Sequence, residues 1–293
     1  MFKKEVYTDR RTKLRNEIKS GIALFLGNVD AAFNYPANQY HFRQDSHFLY
    51  FFGLQNPGFA GIIDFDNNKD YIFGNDFDID DVIWMGVQPK VTNLAAKAGI
   101  ENTAPYNELA KFITTAKTEG RQIHFLPPYR GETVIELSAL LGLANAEVKS
   151  AASAELIKGV VKLKEIKSEE EIAEIEKAID IAYEMHTTSM KMAKPGIVEQ
   201  EIAGTIEGIS LALGGPVSFP IILSQDGQTL HNHYHGNVLE KGRMMVTDAG
   251  AETQECYSSD ITRTVPVGGK FNKRQAEIYQ IVLDANMTAI RAI

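Results

Sequence analysis

Two stretches near the end of the chain decide the fold around them: Met244–Gly250, MMVTDAG, and Cys256–Val265, CYSSDITRTV. Both are typical of β-strands joined by a short turn. A turn centred near Gln254 would leave Asp248 and Asp260 equidistant from it. The two carboxylates would then face each other directly across the ladder, with Cβ atoms about 4.5–5.5 Å apart.

Two carboxylates held that closely repel each other, so the arrangement requires a shared proton, a cation between them or a different register. A divalent cation removes the repulsion most simply, which makes Asp248 and Asp260 candidate metal ligands. The alternative is that both aspartates are solvated on the exposed face of a hairpin.

Three histidines, His231, His233 and His235, alternate with other residues upstream of the first strand. In an extended segment, residues two apart project to the same face, so the three imidazoles are predicted to lie together. Imidazole supplies both a neutral metal ligand and a proton donor to a reacting oxygen. A polar surface loop is the alternative. A further histidine, His186, lies on the apolar stripe of a predicted helix and is interpreted as a core or boundary residue.

That long helix begins at a capping box, because Ser168 and Glu171 can each satisfy a free amide of the first turn. Its apolar residues recur at three- and four-residue steps until Pro195, and a second helix is predicted over about 199–213, ending at Gly214-Gly215. The composition changes near residue 160. We therefore predict a domain boundary there, within about ten residues, and a second domain over 161–293.

The first 160 residues alternate predicted strands and helices. Short apolar runs predict four strands, at residues 21–27, 61–65, 71–73 and 122–126. The second and third of these are expected to form a hairpin around the turn-rich Asp66–Asn68. This mixture predicts a three-layer α/β domain over residues 1–160.

The composition excludes several classes of function. Thirty Lys and Arg against 38 Asp and Glu give a net charge of −8, which argues against a nucleic-acid or anionic-membrane surface. Cys256 is the only cysteine, so an internal disulfide, a thiolate zinc cage and an iron–sulfur cluster are excluded. Any metal must use oxygen or imidazole ligands. No stretch has the length of a signal peptide core or of a membrane span, so the expected compartment is the cytoplasm.

The strand pair carries two motifs, Asp248–Glu252 (DAGAE) and Ser259–Thr264 (SDITRT). Further landmarks follow along nearly the whole chain: Phe42–Ser46 with Phe48 and Gly53, Ile83–Gly86, Ile166–Ser168 with Glu170–Ala173, Pro195-Gly196, Leu230-His231 and Pro266–Phe271. Together and in this order they resemble the aminopeptidase P and prolidase family. The resemblance implies an N-terminal creatinase-type, ribonuclease H-like α/β domain and an α+β pita-bread catalytic domain. It also implies two divalent metal ions, with manganese expected ahead of cobalt or zinc.

The same resemblance assigns roles to individual residues. Asp248 resembles the bidentate ligand of one metal, and Asp260 resembles the carboxylate that bridges both. His231 lies 17 residues before Asp248, which matches the family spacing for the histidine that hydrogen-bonds substrate and the tetrahedral intermediate. His233, the other candidate for substrate binding, requires a deletion. Thr262 would orient a carboxylate without touching the metal.

The activity implied by the resemblance is hydrolysis of the peptide bond that precedes proline, by a metal-activated water. Xaa-Pro aminopeptidase is the first hypothesis, with proline-containing peptides as substrates and a homodimer or larger assembly. Prolidase, which is restricted to dipeptides, is the closest alternative. The alternative of another class is a non-catalytic pita-bread protein that binds peptides or dimerises.

The family needs five metal ligands, and its remaining histidine and two glutamates lie beyond the second aspartate. The chain ends before them, within a helix that has no glycine cap. We therefore expect a truncated chain with only the first half of the catalytic domain, inactive by itself.

Overall fold

The computed structural model describes residues 1–293, which divide into two compact units, Met1–Lys167 and Ser168–Ile293. The elements of the first unit are α1 (Lys4–Glu17), β1 (Ile22–Leu26), β2 (Ala32–Tyr35), β3 (Asn38–Gln39), α2 (Ser46–Phe52), β4 (Ala60–Asp64), β5 (Lys69–Phe73), α3 (Ile79–Met85), α4 (Val91–Lys97), β6 (Asn102–Ala104), α5 (Glu108–Thr118), β7 (Ile123–His124), α6 (Gly131–Leu141), α7 (Asn145–Val148) and α8 (Ala154–Lys164).

Five of these strands form one sheet in the order β6-β5-β4-β1-β7. The predicted hairpin is confirmed, since β4 and β5 pair antiparallel from Ala60 opposite Phe73 to Asp64 opposite Lys69. The outer strands β6 and β7 run parallel to their neighbours. The strand predicted over 122–126 is shorter than expected, because it pairs with β1 only at Ile123 and His124, and the next carbonyl, of Phe125, accepts from the Ser153 amide at 3.0 Å instead.

The sheet of the first unit is buried on both faces. Ala23 and Phe25 of β1 pack into a core with residues of α1, α2, α4 and α8. Their neighbours Ile22 and Leu24 point to the opposite face and a second core, with residues of α5, α6 and α7. This alternation explains why every residue of β1 is buried, and it confirms the predicted three-layer α/β arrangement.

One fully buried cation, Arg11 on α1, joins several elements of this unit. Its guanidinium pairs with Asp70 at 2.8 Å and donates to the carbonyls of Phe51 at 2.7 Å and Ala98 at 2.8 Å. Burial lowers the pKa of Arg11, and the Asp70 carboxylate opposes that shift. A planar group with five donors in a fixed fork is needed to meet acceptors in three directions.

The second unit contains α9 (Glu169–Met192), α10 (Glu199–Leu213), β8 (Ile222–Ser224), β9 (Met244–Ala249), β10 (Ile261–Pro266) and α11 (Lys273–Ala292). The predicted capping box begins α9: the Glu171 amide donates to Ser168 Oγ at 3.4 Å, and the Ser168 amide donates to Glu171 Oε2 at 3.0 Å. The second predicted helix, over 199–213, is confirmed as α10. None of the helices of either unit is long and apolar enough to cross a membrane.

An antiparallel sheet of order β10-β9-β8 packs against α9 and α10. Along β9, Met245, Thr247 and Ala249 are buried, whereas the alternate residues are partly exposed. Thr247 exchanges a hydrogen bond of 2.8 Å with Ser189 of α9. The helix therefore occupies one face of β9, and Asp248 projects from the other.

Candidate metal centre

The register of β9 and β10 corrects the predicted pairing of the two aspartates. Asp248 lies opposite Thr262, not opposite Asp260. The turn is centred on Glu255 instead of Gln254, as shown by the bridge between Glu252 and Ser258. Moving the turn centre by one residue shifts every partner by two.

Asp260 precedes β10 immediately and lies two residues before Thr262, so it remains on the same side of the ladder as Asp248. The two aspartates are thus diagonal neighbours, a relation that places Cβ atoms about 7–8 Å apart or somewhat closer. Both line one pocket of about 330 Å³. The other residues that line it are Phe219, Pro220, Ile222, His231 and His233.

A glycine opposite Asp260 allows the two chains to approach here. The pair Ala249 and Ile261 and the bridge Glu252 and Ser258 share one register, which places Gly250 opposite Asp260. A Cβ atom added to Gly250 would lie 1.8 Å from the carbonyl oxygen of Ser259 and 2.5 Å from Ser218 Oγ. The position therefore excludes any side chain, and it keeps the backbone that carries Asp260 close to β9.

The Asp248 carboxylate has a buried oxygen, Oδ1, with no hydrogen-bond partner. Buried polar atoms are normally paired, so an orphaned carboxylate oxygen indicates a place for a positive group. Carboxylate oxygens are ligands that hard divalent ions favour. No group of three or more His, Cys, Asp or Glu side chains is placed to hold a metal. Asp248 and Asp260 therefore fit a divalent cation as two of its ligands, and the described chain contributes only part of a coordination sphere.

The histidine segment is not extended enough to align all three imidazoles, contrary to expectation. His231 and His233 line the pocket and are exposed. His235 is absent from the lining, and its Nδ1 is 3.0 Å from the carbonyl oxygen of Leu223. The Asn232 Oδ1 accepts from the Tyr234 amide at 3.0 Å, a local turn that breaks the two-residue alternation between His233 and His235.

Thr262 lies directly across the ladder from Asp248, but its hydroxyl makes no hydrogen bond to either aspartate. The backbone beside Asp248 is held from the other face instead. His186 of α9, buried as the sequence suggested, places Nε2 3.0 Å from the Ala249 carbonyl oxygen. Burial lowers the pKa of His186, which favours the neutral imidazole.

Sequence reasoning missed the apolar wall of the pocket and one buried acid. Phe219, Pro220 and Ile222 follow the Gly214-Gly215 break, and a proline within a short apolar run was the only available signal. Glu199, the first residue of α10, is fully buried. Its position at the start of a helix resembles that of an ordinary exposed first-turn acid.

Comparison with known proteins identifies two domains. The aminopeptidase P N-terminal domain matches residues 7–124. Metallopeptidase family M24 matches residues 173–293, which include the pocket. The match supports an α/β domain followed by a pita-bread domain, as predicted from the sequence.

Several relatives match nearly the whole chain. The Xaa-Pro aminopeptidase of Escherichia coli is 28% identical over 300 residues, covering 98% of this chain and 68% of the relative. A probable Xaa-Pro aminopeptidase of Sordaria macrospora is 26% identical, covering 94% and 47%. The Xaa-Pro dipeptidase of Homo sapiens is also 26% identical, covering 86% and 53%. The chain thus spans about half to two thirds of the length of these relatives.

Solved structures share the fold. Zinc-substituted aminopeptidase P of E. coli, in complex with product, superposes with a TM-score of 0.85 at 24% identity, covering 99% of this chain and 68% of that one. Aminopeptidase PepP of Pseudomonas aeruginosa gives a TM-score of 0.84 at 21% identity, covering 98% and 67%.

Proposed function

Because this chain belongs to the aminopeptidase P family of metallopeptidases, we propose that it acts on the peptide bond before proline and releases the N-terminal residue of Xaa-Pro peptides. The observation that carries the proposal is the pocket in which Asp248 and Asp260 meet His231 and His233. The buried, unpartnered Oδ1 of Asp248 gives that pocket a place for a cation.

We assign Asp248 and Asp260 as ligands of two divalent ions, with manganese as the first choice and cobalt or zinc as alternatives. When bound, such ions lower the pKa of a water toward neutrality and stabilise negative charge on oxygen. Thr262, across the ladder from Asp248, is proposed to orient that carboxylate once it is bound to metal. The remaining ligands must come from outside the residues described.

The other pocket residues bind and orient the peptide. A donor imidazole is required at the carbonyl oxygen of the scissile bond, where negative charge develops. His231 is the proposed donor, and His233 is proposed to contact substrate beside it. The wall of Phe219, Pro220 and Ile222 offers apolar surface to the peptide and excludes water from it.

Prolidase activity is the closest alternative, and the match to the human Xaa-Pro dipeptidase favours keeping it. The non-catalytic alternative, a pita-bread protein that binds peptides or dimerises, predicts peptide binding without turnover. We further propose a homodimer or larger assembly and a cytoplasmic location. The boundary near residue 160 between the N-terminal domain and the pita-bread domain remains our proposal.

The test is hydrolysis by the complete product of the gene. An Xaa-Pro dipeptide, an Xaa-Pro-Xaa tripeptide and a tripeptide with alanine in place of proline are compared after chelation and after adding back manganese, cobalt or zinc. We expect the proline tripeptide to be cleaved only with metal, and the alanine peptide to be spared. Cleavage of the dipeptide alone would indicate a prolidase. Undiminished activity after exhaustive chelation would refute the metal-dependent mechanism.

A further inference from the structure

Glu199 is a fully buried carboxylate whose hydrogen bonds all come from neutral donors. Its Oε1 accepts from the Gln225 amide at 2.7 Å, from Ser224 Oγ at 3.1 Å and from Asn237 Nδ2 at 3.3 Å. Its Oε2 accepts from Asn237 Nδ2 at 3.1 Å. No ion pair of this side chain is present. A buried charge in such surroundings is retained at a cost, which suggests that it serves the geometry of the groups around it.

Those donors lie at the two ends of a single segment, residues 226–236, which we call the histidine loop because it contains His231 and His233. Ser224 and Gln225 precede the loop, and Asn237 follows it. The backbone strengthens the second connection, since the Glu199 amide donates to the Asn237 carbonyl at 3.0 Å and the Gln200 amide donates to the His235 carbonyl at 2.9 Å. Glu199 therefore closes the base of the histidine loop.

A relay of hydrogen bonds extends from this base to the pocket residues. Ser224 Oγ donates to Glu199, and it accepts from the Asp226 amide at 2.9 Å and from Asn232 Nδ2 at 3.5 Å. Asn232 lies between His231 and His233 in the chain. Its Oδ1 accepts from the Tyr234 amide at 3.0 Å, which fixes the backbone on the other side of His233.

We propose that Glu199 is a positioning residue, which acts through Ser224 and Asn232 to hold His231 and His233 over the pocket. The inference rests on the proposed function for its catalytic consequence, but its structural claim can be tested separately. The carboxylate is suited to this task because it only accepts hydrogen bonds. A glutamine of the same size would turn one NH2 group toward the donors of Ser224, Gln225 or Asn237.

The experiment compares Glu199→Gln with Ser224→Ala, a milder variant that breaks the relay but leaves the other bonds of Glu199 intact. Glu201→Gln is the matched control: it is the same chemical change on the same helix, at an exposed side chain whose capping bond to the Val198 amide a glutamine can also accept. Amide hydrogen exchange is measured for every peptide of the complete protein. Manganese affinity and the kinetics of tripeptide cleavage are measured alongside.

We expect faster exchange confined to the histidine loop in both variants, and a fall in kcat/KM of up to about 100-fold, the cost that a misplacement of about 1 Å can carry. Manganese affinity should be unchanged, because neither aspartate is touched. A merely structural role would instead accelerate exchange across β9 and β10 and weaken metal binding. That result, or exchange in the loop identical to the Glu201→Gln control, would overturn the proposal. Failure of the unsubstituted protein to cleave the peptide would contradict the proposed function. The exchange measurement would still decide whether Glu199 holds the histidine loop.

Discussion

Replacing Asp248 by asparagine should have opposite effects on stability with and without metal. Without metal, the carboxylate carries two penalties. Its buried Oδ1 lacks a partner, a defect that costs about 1–3 kcal/mol in other proteins. Repulsion from Asp260 at a diagonal spacing of about 7 Å adds roughly 0.6–2.4 kcal/mol, for an effective dielectric constant between 80 and 20. Asp248→Asn removes the repulsion and keeps the volume of the side chain.

Metal reverses the effect of Asp248→Asn on stability, because the ion binds the folded protein and not the unfolded chain. At a free manganese concentration 100 times Kd, binding raises the free energy of unfolding by about 2.7 kcal/mol. For a unit of this size each kcal/mol moves Tm by about 3–5 °C, so metal should raise Tm by about 8–14 °C. Asp248→Asn should show almost none of that increase, although it starts from an equal or higher Tm in chelator.

Thermal unfolding followed by circular dichroism measures Tm both in EDTA and across a manganese titration. Asp180→Asn, the same change at an exposed position of α9, is the control and should behave as the unsubstituted protein in both conditions. The reasoning is refuted if Asp248→Asn is clearly less stable than the unsubstituted protein in EDTA. It is refuted equally if the variant retains the full manganese-dependent rise.

Four further substitutions test other parts of the structure. Gly250→Ala should destabilise the second unit by at least about 3 kcal/mol in urea titrations, because the added Cβ would collide with the Ser259 carbonyl. The control Gly204→Ala, on α10 with open space around the added Cβ, should leave the stability of this unit unchanged. Arg11→Lys should cost about 3 kcal/mol in the same assay, because an ammonium cannot reach the Asp70, Phe51 and Ala98 oxygens together; an equally stable variant would contradict that role. His231→Ala should lower kcat for Xaa-Pro tripeptide by about 10²-fold or more, and His233→Ala chiefly raise KM; the reverse pattern would exchange their roles.

Local signals predicted the helices of the second unit well. The Ser168 capping box and the breaks at Pro195 and Gly214 act within a few residues of where they stand, so α9 and α10 begin and end as expected. The buried role of Glu199 could not be predicted in the same way. Its partners Ser224 and Asn237 are 25 and 38 residues away, and only the folded chain brings them to one carboxylate.

The conformation of the turn between β9 and β10 is the feature of the candidate site that could not be predicted from the sequence. Cys256 adopts a left-handed conformation there, with φ of 60°, and its amide donates to the Thr253 carbonyl at 2.9 Å. This conformation is uncommon for a residue other than glycine, and no residue type in Glu252–Glu255 indicated it. The predicted distance between the aspartates was therefore wrong, although both were correctly predicted to share a face.

Asp248 and Asp260 lie on one face in both the predicted and the observed register, because of the way residue numbers pair in an antiparallel ladder. Paired residue numbers have a constant sum, 508 for a turn centred at 254 and 510 for the observed pairs such as Asp248 with Thr262. Both sums are even, so residues 248 and 260, which are both even, lie on one side in either register. In this sequence a register shifted by one residue would give an odd sum and send Asp260 to the opposite face, away from His231 and His233. Insertion of a single residue between Asp260 and Ile261 should therefore abolish manganese binding, because Asp260 would then lie three residues before Thr262, whereas insertion of two at the same place should retain part of it.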